Sequence, residues 1–328
     1  MKIIITDYVD VLKRDLDYEV GLIRKNLPGA DVKVVAYENT EQWVQRVKDA
    51  DAILTAFIKM DGTIMDQMPN LKCIVLNANG YDSIHVEDAS KRNIGVVPIW
   101  EYCTEEVADH TLALILALER GLKHYEKDID VHKKWQYMTL KNVRRIKNQV
   151  LGICGLGKIG QAVAVRAQGF AMTVIAYSPH CTKETARRLG IELVNKEELL
   201  KKSNIIANHM AQSAENYHFF DWEAFQMMQQ RPIFINVARG NAVDEDALVH
   251  ALDEGLLYGA GLDVLSDEHP DLEKCKLTNR ENVILTPHAA FYSDESLRNL
   301  QTFSCMNLVH YLKEEYDEVK WIVNADEL

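Results

Sequence analysis

Three polar residues in this 328-residue chain follow apolar, strand-like segments and could together move a proton. Arg239 and His288 each come directly after such a segment, and Glu268 lies a few residues past another. Open α/β folds place their chemistry at the carboxyl ends of parallel strands. Arginine offers a two-pronged donor for a carboxylate and a carbonyl, histidine titrates near neutral pH, and glutamate stabilises the charged imidazole. The set predicts the catalytic group of a 2-oxo acid reductase, although each residue alone also fits an ordinary surface or turn role.

A glycine motif gives the second chemical signal. The apolar segment 150–154 leads into G-x-G-x-x-G, a helix pattern follows over 161–170, and a further strand pattern covers 173–177. This order is typical of a dinucleotide site, where glycines allow a tight turn and close approach to a pyrophosphate at a helix N-terminus. The residues predicted to contact the cofactor here are Gly155, Gly157, Lys158, Ile159 and Gly160. The alternative is a structural glycine turn.

The end of the second strand of this motif bears on which cofactor is bound. NAD-binding versions usually carry an acid there for the ribose 2′-hydroxyl, but this chain has Ser178. A missing carboxylate removes repulsion of a 2′-phosphate, and Ser178, His180, Lys183 and Arg187 could supply donors and positive charge. The sequence therefore favours NADP(H) over NAD(H). The alternative is that these are ordinary surface residues of an NAD(H) protein.

The elements that must position these residues follow an alternating pattern of short β-branched runs and helical segments. The predicted strands are 2–6, 32–36, 52–55, 73–76, 150–154, 173–177, 205–208, 233–237, 259–263 and 283–286. Strands separated by helices predict parallel sheets with helices on both faces. The fold class is therefore predicted to be α/β, with two doubly wound parallel-sheet domains.

The alternation breaks between residues 97 and 150, where 104–126 carries apolar residues at helical spacing. A second sheet begins at Val150, and a last long helix is predicted over 293–313. We therefore expect residues 1–100 plus 291–328 to form a flavodoxin-like substrate domain. The expected insertion, residues 101–290, is a Rossmann domain that binds NAD(P).

Composition excludes several classes of partner. The net charge of −12 argues against nucleic-acid binding, which needs clustered Lys and Arg. The six cysteines are scattered without zinc-ligand spacing, so no metal site is expected and the thiols are predicted to be reduced. No segment is long and apolar enough for a signal peptide core or a membrane span. A cytoplasmic protein without membrane contact is expected.

At this point the sequence resembles the D-isomer-specific 2-hydroxyacid dehydrogenase family, and in the residues after His288 its D-lactate dehydrogenase-like branch. Six motifs in family order carry the resemblance: Asn79-Gly80-Tyr81-Asp82, residues 106–111, the Gly155 motif, residues 236–240, residues 261–264 and Thr286-Pro287-His288. The chain departs from the family pattern at Asp109, at Ala211 and over 99–101. The last departure directly precedes Tyr102, at the expected substrate pocket.

The resemblance implies a role for each matching residue. Arg239 would bind the substrate carboxylate and carbonyl, His288 would be the acid/base, and Glu268 would tune His288. Further expected cofactor contacts are His209, Ala238 and Asp263, the last holding the nicotinamide amide. Further expected substrate contacts are the Asn79-Gly80 backbone and Tyr102. A homodimer is expected from the family, with the apolar helix 111–118 either at the contact or in the core.

The predicted function is reversible reduction of a small 2-oxo acid to the D-2-hydroxy acid with NAD(P)H. A different class remains open, a dinucleotide-sensing binding protein on the same fold. A third possibility changes only the substrate, to glyoxylate, hydroxypyruvate or a branched 2-oxo acid.

Overall fold

The computed structural model describes residues 1–328, which divide into two compact units. One consists of Met1–Tyr102 together with Ser293–Leu328, and the other of Cys103–Tyr292. The strands are β1 (Lys2–Tyr8), β2 (Asp31–Tyr37), β3 (Ala52–Thr55), β4 (Cys73–Leu76), β5 (Gly95–Val97), β6 (Val150–Cys154), β7 (Thr173–Tyr177), β8 (Glu192–Leu193), β9 (Ile205–Asn208), β10 (Ile233–Asn236), β11 (Gly259–Leu262) and β12 (Val283–Leu285). The α-helices are α1 (Leu16–Asn26), α2 (Thr40–Val47), α3 (Gly62–Met65), α4 (Val86–Ser90), α5 (Thr104–Glu119), α6 (Leu122–Asp130), α7 (Lys158–Gly169), α8 (Lys183–Leu189), α9 (Lys196–Lys202), α10 (Trp222–Gln226), α11 (Glu245–Asp253) and α12 (Asp294–Leu312).

The first unit is built on a five-stranded parallel sheet in the order β2-β1-β3-β4-β5. Strands β3, β4 and β5 and most of β1 are buried on both faces because helices cover the sheet on each side, whereas edge strand β2 is largely exposed. Ile4 packs in a cluster with Trp43 of α2, whereas Ile3 and Ile5 pack in the opposite cluster with Leu308 of α12. The C-terminal helix therefore completes the core that the first 102 residues begin.

The second unit contains a seven-stranded parallel sheet in the order β12-β11-β10-β9-β6-β7-β8. The chain order reverses between β6 and β9, which pair directly. Open α/β sheets bind ligands at such a switch point, beyond the carboxyl ends of the strands. The glycine motif follows β6, so the fold brings it to this place.

The prediction of two doubly wound parallel-sheet domains is confirmed, but three local predictions are wrong. Two short strands, β5 and β8, were not predicted, since two or three residues carry too little periodicity to be recognised. The single helix predicted over 104–126 is two helices, because Gly121 adopts a left-handed conformation (φ 58°) and ends α5. A side chain at Gly121 would also collide with Leu140.

The apolar segment 111–118 of α5 belongs to the core of its own unit. Thr111 and Ile115 are fully buried, and Leu112, Leu114 and Leu118 are nearly so. Of the two roles considered for this segment, the structure therefore supports packing. No helix combines the length and the apolar character that a membrane crossing requires.

Candidate active site

His288 and Glu268 form a directed pair in the second unit. His288 Nδ1 donates to Glu268 Oε2 at 2.9 Å, which leaves Nε2 as the nitrogen available to a substrate. The hydrogen bond and charge of His288 hold the pKa of the Glu268 carboxyl below its ordinary value, and the charge of Arg239 adds to this effect. Glu268 is therefore ionised at neutral pH and can stabilise an imidazolium.

A close backbone contact at the residue after Arg239 brings Arg239 near the loop that carries Glu268. Gly240 follows Arg239, and a Cβ there would overlap the main chain of Leu265. The adjoining amide of Ser266 donates to Glu245 Oε1 of α11 at 2.6 Å. The loop that carries Glu268 is therefore packed against the turn that carries Arg239, and three residues separated along the chain meet at the ends of β10, β11 and β12.

Asp263 organises the loop that carries His288. Its carboxylate is almost fully buried and accepts three hydrogen bonds, from Thr286 Oγ1 at 2.6 Å and from the amides of Ala289 and Ala290 at 2.8 and 2.9 Å. His288 itself has a left-handed backbone (φ 51°), and its amide donates to Asp263 O at 2.8 Å. Strained backbone persists only where surrounding contacts over-determine it, and Asp263 supplies those contacts.

His110 of α5 extends this arrangement. Its Nε2 lies 3.0 Å from Thr286 Oγ1, whose own proton goes to Asp263. His110 therefore braces the loop that carries His288 through Thr286.

A pair of buried asparagines at the ends of β9 and β10 was missed by the sequence analysis. Asn208 Nδ2 donates to Asn236 Oδ1 at 3.0 Å, and Asn236 Nδ2 donates to the carbonyl of Arg239 at 3.0 Å. Asn208 Oδ1 accepts from the amide of Met210 at 3.1 Å. The pair thus ties the His209 loop to the Arg239 loop. The sequence signal for this pair is that Asn208 and Asn236 each end an otherwise apolar strand. In the sheet these two positions are paired with each other.

The three motif glycines differ in what surrounds them. Gly155 has φ 94°, and a Cβ there would lie 2.8 Å from the backbone of His209; a Cβ at Gly160 would overlap the carbonyl of Gly155. A Cβ at Gly157 would meet nothing within 4 Å. Packing therefore requires Gly155 and Gly160, whereas the space at Gly157, at the N-cap of α7, fits a pyrophosphate that approaches the backbone.

This contrast gives a paired prediction. Gly157→Ala should change the free energy of unfolding by less than about 1 kcal/mol and weaken dinucleotide binding by about tenfold or more. Gly160→Ala should destabilise by roughly 1–3 kcal/mol, because the packed backbone must move. Thermal unfolding and fluorescence titration with NADH and NADPH measure both effects. Unchanged cofactor affinity in Gly157→Ala would contradict the assignment.

His209 and the β7 loop complete the predicted cofactor contacts. His209 Nε2 is buried without a hydrogen-bond partner, and burial lowers the pKa of His209 to about 4, so the ring is neutral. An orphaned buried nitrogen beside the Gly155 turn fits a site completed by a polar ligand. Ser178 is half-buried just past β7, and His180 is exposed. Lys158 and Ile159 open α7, and Ala238 precedes Arg239.

The predicted substrate contacts outside this unit lie in the first one. Asn79 and Gly80 follow β4. Tyr102 follows β5 and is the last residue of the Met1–Tyr102 part of this unit. Asn79 Oδ1 is buried without a partner, as are both side-chain amide atoms of nearby Asn77. No group of three or more His, Cys, Asp or Glu side chains is placed to hold a metal ion.

The glycine loop at the switch point lies in the same unit as Arg239, Glu268 and His288, an arrangement that fits the class of dinucleotide-binding α/β proteins with an acid/base centre. Residues 112–290 match the family model of the NAD binding domain of D-isomer specific 2-hydroxyacid dehydrogenases. The chain is 35% identical over 278 residues to a glyoxylate reductase of Korarchaeum cryptofilum, covering 83% of this chain and 82% of the relative. It belongs to the D-isomer specific 2-hydroxyacid dehydrogenase family.

Solved structures agree with this membership. A D-lactate dehydrogenase from Aquifex aeolicus, complexed with NAD and lactic acid, has a TM-score of 0.86 at 28% identity and covers 98% of both chains. An acyclic imino acid reductase, in complex with NADPH and D-Arg, has a TM-score of 0.84 at 27% identity and covers 98% of this chain and 100% of the other. Of these two similar structures, one is thus complexed with NAD and the other with NADPH.

Proposed function

We propose that the protein is an NAD(P)-dependent D-2-hydroxyacid dehydrogenase that reduces 2-oxo acids to D-2-hydroxy acids. The observation that carries the proposal is the 2.9 Å pair of His288 Nδ1 and Glu268 Oε2, which leaves Nε2 for a substrate oxygen, with the Arg239 charge close to Glu268. The unit Cys103–Tyr292 would bind the cofactor, and the other unit would supply substrate contacts.

Each residue has a defined task in this reaction. Arg239 binds the substrate carboxylate and polarises the carbonyl through its two-pronged guanidinium. When bound, the reduced nicotinamide supplies the hydride to the carbonyl carbon. His288 donates the proton at Nε2 to the carbonyl oxygen, and Glu268 stabilises the imidazolium before transfer. In the oxidative direction His288 accepts that proton.

Turnover of a panel of 2-oxo acids tests the proposal. Pyruvate, phenylpyruvate, 2-oxoisocaproate, glyoxylate and hydroxypyruvate would each be offered with NADH and with NADPH. Tight cofactor binding without turnover of any substrate would favour the alternative, a dinucleotide-sensing binding protein. That alternative is not favoured, because the acid/base pair is assembled and the similar proteins are named as enzymes.

NADP(H) is the proposed cofactor. Ser178 carries no charge, whereas Lys183 and Arg187 are exposed on α8, which begins five residues later. A 2′-phosphate would find hydroxyl and cationic donors there, and no carboxylate at position 178 would repel it.

Ser178→Asp tests this preference. The new carboxylate should repel the 2′-phosphate and accept the ribose hydroxyl, shifting the ratio of kcat/KM values for NADPH and NADH by about tenfold or more toward NADH. Lys183→Gln and Arg187→Gln should lower kcat/KM for NADPH more than for NADH. A parent enzyme that already prefers NADH tenfold would contradict the proposal.

The exposed segment 131–147 supports a homodimer. It carries six Lys and Arg residues and no acidic ones, within a chain of net charge −12. Trp135 is 90% exposed, and Tyr137 and Met138 are also exposed. An apolar, basic segment on an acidic protein suits docking against a second copy. Light scattering should give about twice the 37.4 kDa chain mass, and a monomer at micromolar concentration would contradict this.

A cytoplasmic location is also proposed. All six cysteines are free, which is typical of a reducing compartment. Cell fractionation that finds the protein outside the cytoplasm would contradict it.

A further inference from the structure

Three aromatic side chains form a continuous row at one end of the first sheet. The ring centroids of Trp100 and Trp321 lie 5.5 Å apart, and those of Trp321 and Tyr81 lie 5.4 Å apart, with interplanar angles of 75° and 79°. These are edge-to-face contacts, the favoured geometry for aromatic pairs. The aromatic row, meaning Trp100, Trp321 and Tyr81, thus joins the loop after β4, the loop after β5 and the C-terminal tail.

Hydrogen bonds fix the chain just after Trp321, the residue that the C-terminal tail contributes to the row. The amide of Val323 donates to the carbonyl of Val96 at 2.9 Å, and Asn324 Oδ1 accepts from the amide of Val96 at 3.0 Å. Asn324 Nδ2 donates to the carbonyl of Ile94 at 2.9 Å, and Asn324 is buried. The tail is therefore fastened to edge strand β5, and Trp321 lies fixed between the two loops.

The row is partly exposed, and a further exposed aromatic side chain follows a neighbouring strand. Trp100 is 47% exposed, and Phe57, which follows β3, is 52% exposed. Since β3, β4 and β5 are neighbours in the sheet, three adjacent strands are each followed by a loop with an aromatic side chain. Removing apolar surface from water lowers the free energy, so grouped exposed aromatic residues mark a binding surface.

The loop after β4, which carries Tyr81, also carries buried polar atoms without hydrogen-bond partners. Tyr81 directly follows Asn79-Gly80, the loop expected to seat the substrate carboxylate. Asn79 Oδ1 and both side-chain amide atoms of Asn77 are buried without hydrogen bonds, and Asn77 is only 5% exposed. Buried polar groups normally have partners. The loop region therefore suits an amphipathic ligand, with a polar head at the asparagines and an apolar body on the aromatic rings.

We infer that the preferred substrates are 2-oxo acids with a large apolar side chain, aromatic ones above all. The side chain of the substrate lies against Trp100. Trp321 is a positioning residue that holds Trp100 and Tyr81 in place. The inference rests on the proposed function and narrows its substrate class. Glyoxylate has no side chain to cover the rings and gains nothing from them.

The test compares kcat/KM for phenylpyruvate and glyoxylate in the full-length protein. The parent should favour phenylpyruvate by about tenfold or more, in line with the burial of one aromatic ring. Trp100→Ala should lower kcat/KM for phenylpyruvate about tenfold and change that for glyoxylate less than about threefold. Trp321→Leu should raise KM for phenylpyruvate with little change in kcat, and Trp321→Phe should restore it.

Tyr316→Ala is the matched control, since Tyr316 is an exposed aromatic residue of the same tail outside the row. It should leave the substrate ratio unchanged. Equal or better use of glyoxylate by the parent, or equal losses for both substrates in Trp100→Ala, would overturn the inference. If Trp321→Leu does not fold, Trp100→Ala decides alone. Failure to turn over any 2-oxo acid would instead overturn the proposed function.

Discussion

His288→Gln is expected to lower kcat for 2-oxo acid reduction about 10²–10⁴-fold, the range for loss of a positioned general acid. Glutamine keeps polarity and similar size but cannot act as a general acid. The KM for cofactor should change little, because His288 acts on the substrate oxygen through Nε2.

His310→Gln is a matched control. His310 Nδ1 pairs with Glu315 Oε2 at 2.7 Å, the same type of contact as in the His288 and Glu268 pair, but in the first unit, at the end of α12. Its loss should leave kcat unchanged. Turnover of His288→Gln within about fivefold of the parent, well below the loss of a general acid, would refute the assignment.

Glu268→Gln separates charge from hydrogen bonding. The amide oxygen can still accept from His288 Nδ1, but no negative charge remains to stabilise the imidazolium. We expect kcat to fall about 10- to 100-fold, less than in His288→Gln. An equal loss in both variants would show that orientation of the ring, rather than charge, is what Glu268 provides.

The sequence predicted the strand ends well because buried parallel strands are nearly continuous apolar runs. Once Ile233–Asn236 and Val283–Leu285 are recognised as strands, Arg239 and His288 follow as residues just beyond their carboxyl ends. Because the strands are parallel, their carboxyl ends lie at the same end of the sheet, which brings the two residues together. These parts of the site depend on local pattern, which a single sequence carries.

Other features depend on contacts that no local pattern reveals. The helix break falls at Gly121, a residue type that often ends helices, but the apolar spacing continues past it, and the positive φ and the packing of Leu140 establish the break. Asp263 was expected to hold the nicotinamide amide, a role inferred from its motif. Its contacts to Thr286 and Ala290 arise because β11 and β12 lie side by side, which becomes visible only in the fold.

Asp263→Asn should therefore impair both stability and catalysis. Whichever way the amide is turned, its NH₂ group faces at least one of the amides of Ala289 and Ala290, which both donate to the carboxylate in the parent. A buried donor that loses its acceptor costs about 1–3 kcal/mol. For a unit of this size that corresponds to a fall in Tm of roughly 2–10 °C. The loop would relax, and a displacement of His288 near 1 Å can cost about 10²-fold in rate.

Thr286→Val is the matched variant, because it removes one of the three donors to Asp263 and leaves both backbone amides bonded. Its losses in Tm and kcat should be clearly smaller, about 1 kcal/mol or less in stability. The two roles of Asp263 give opposite results. If it mainly contacts the nicotinamide amide, Asp263→Asn should raise the Kd for the cofactor while Tm and kcat stay near parent values. If it holds the loop, Tm and kcat should fall together while cofactor affinity changes little, since the Gly155 turn is untouched.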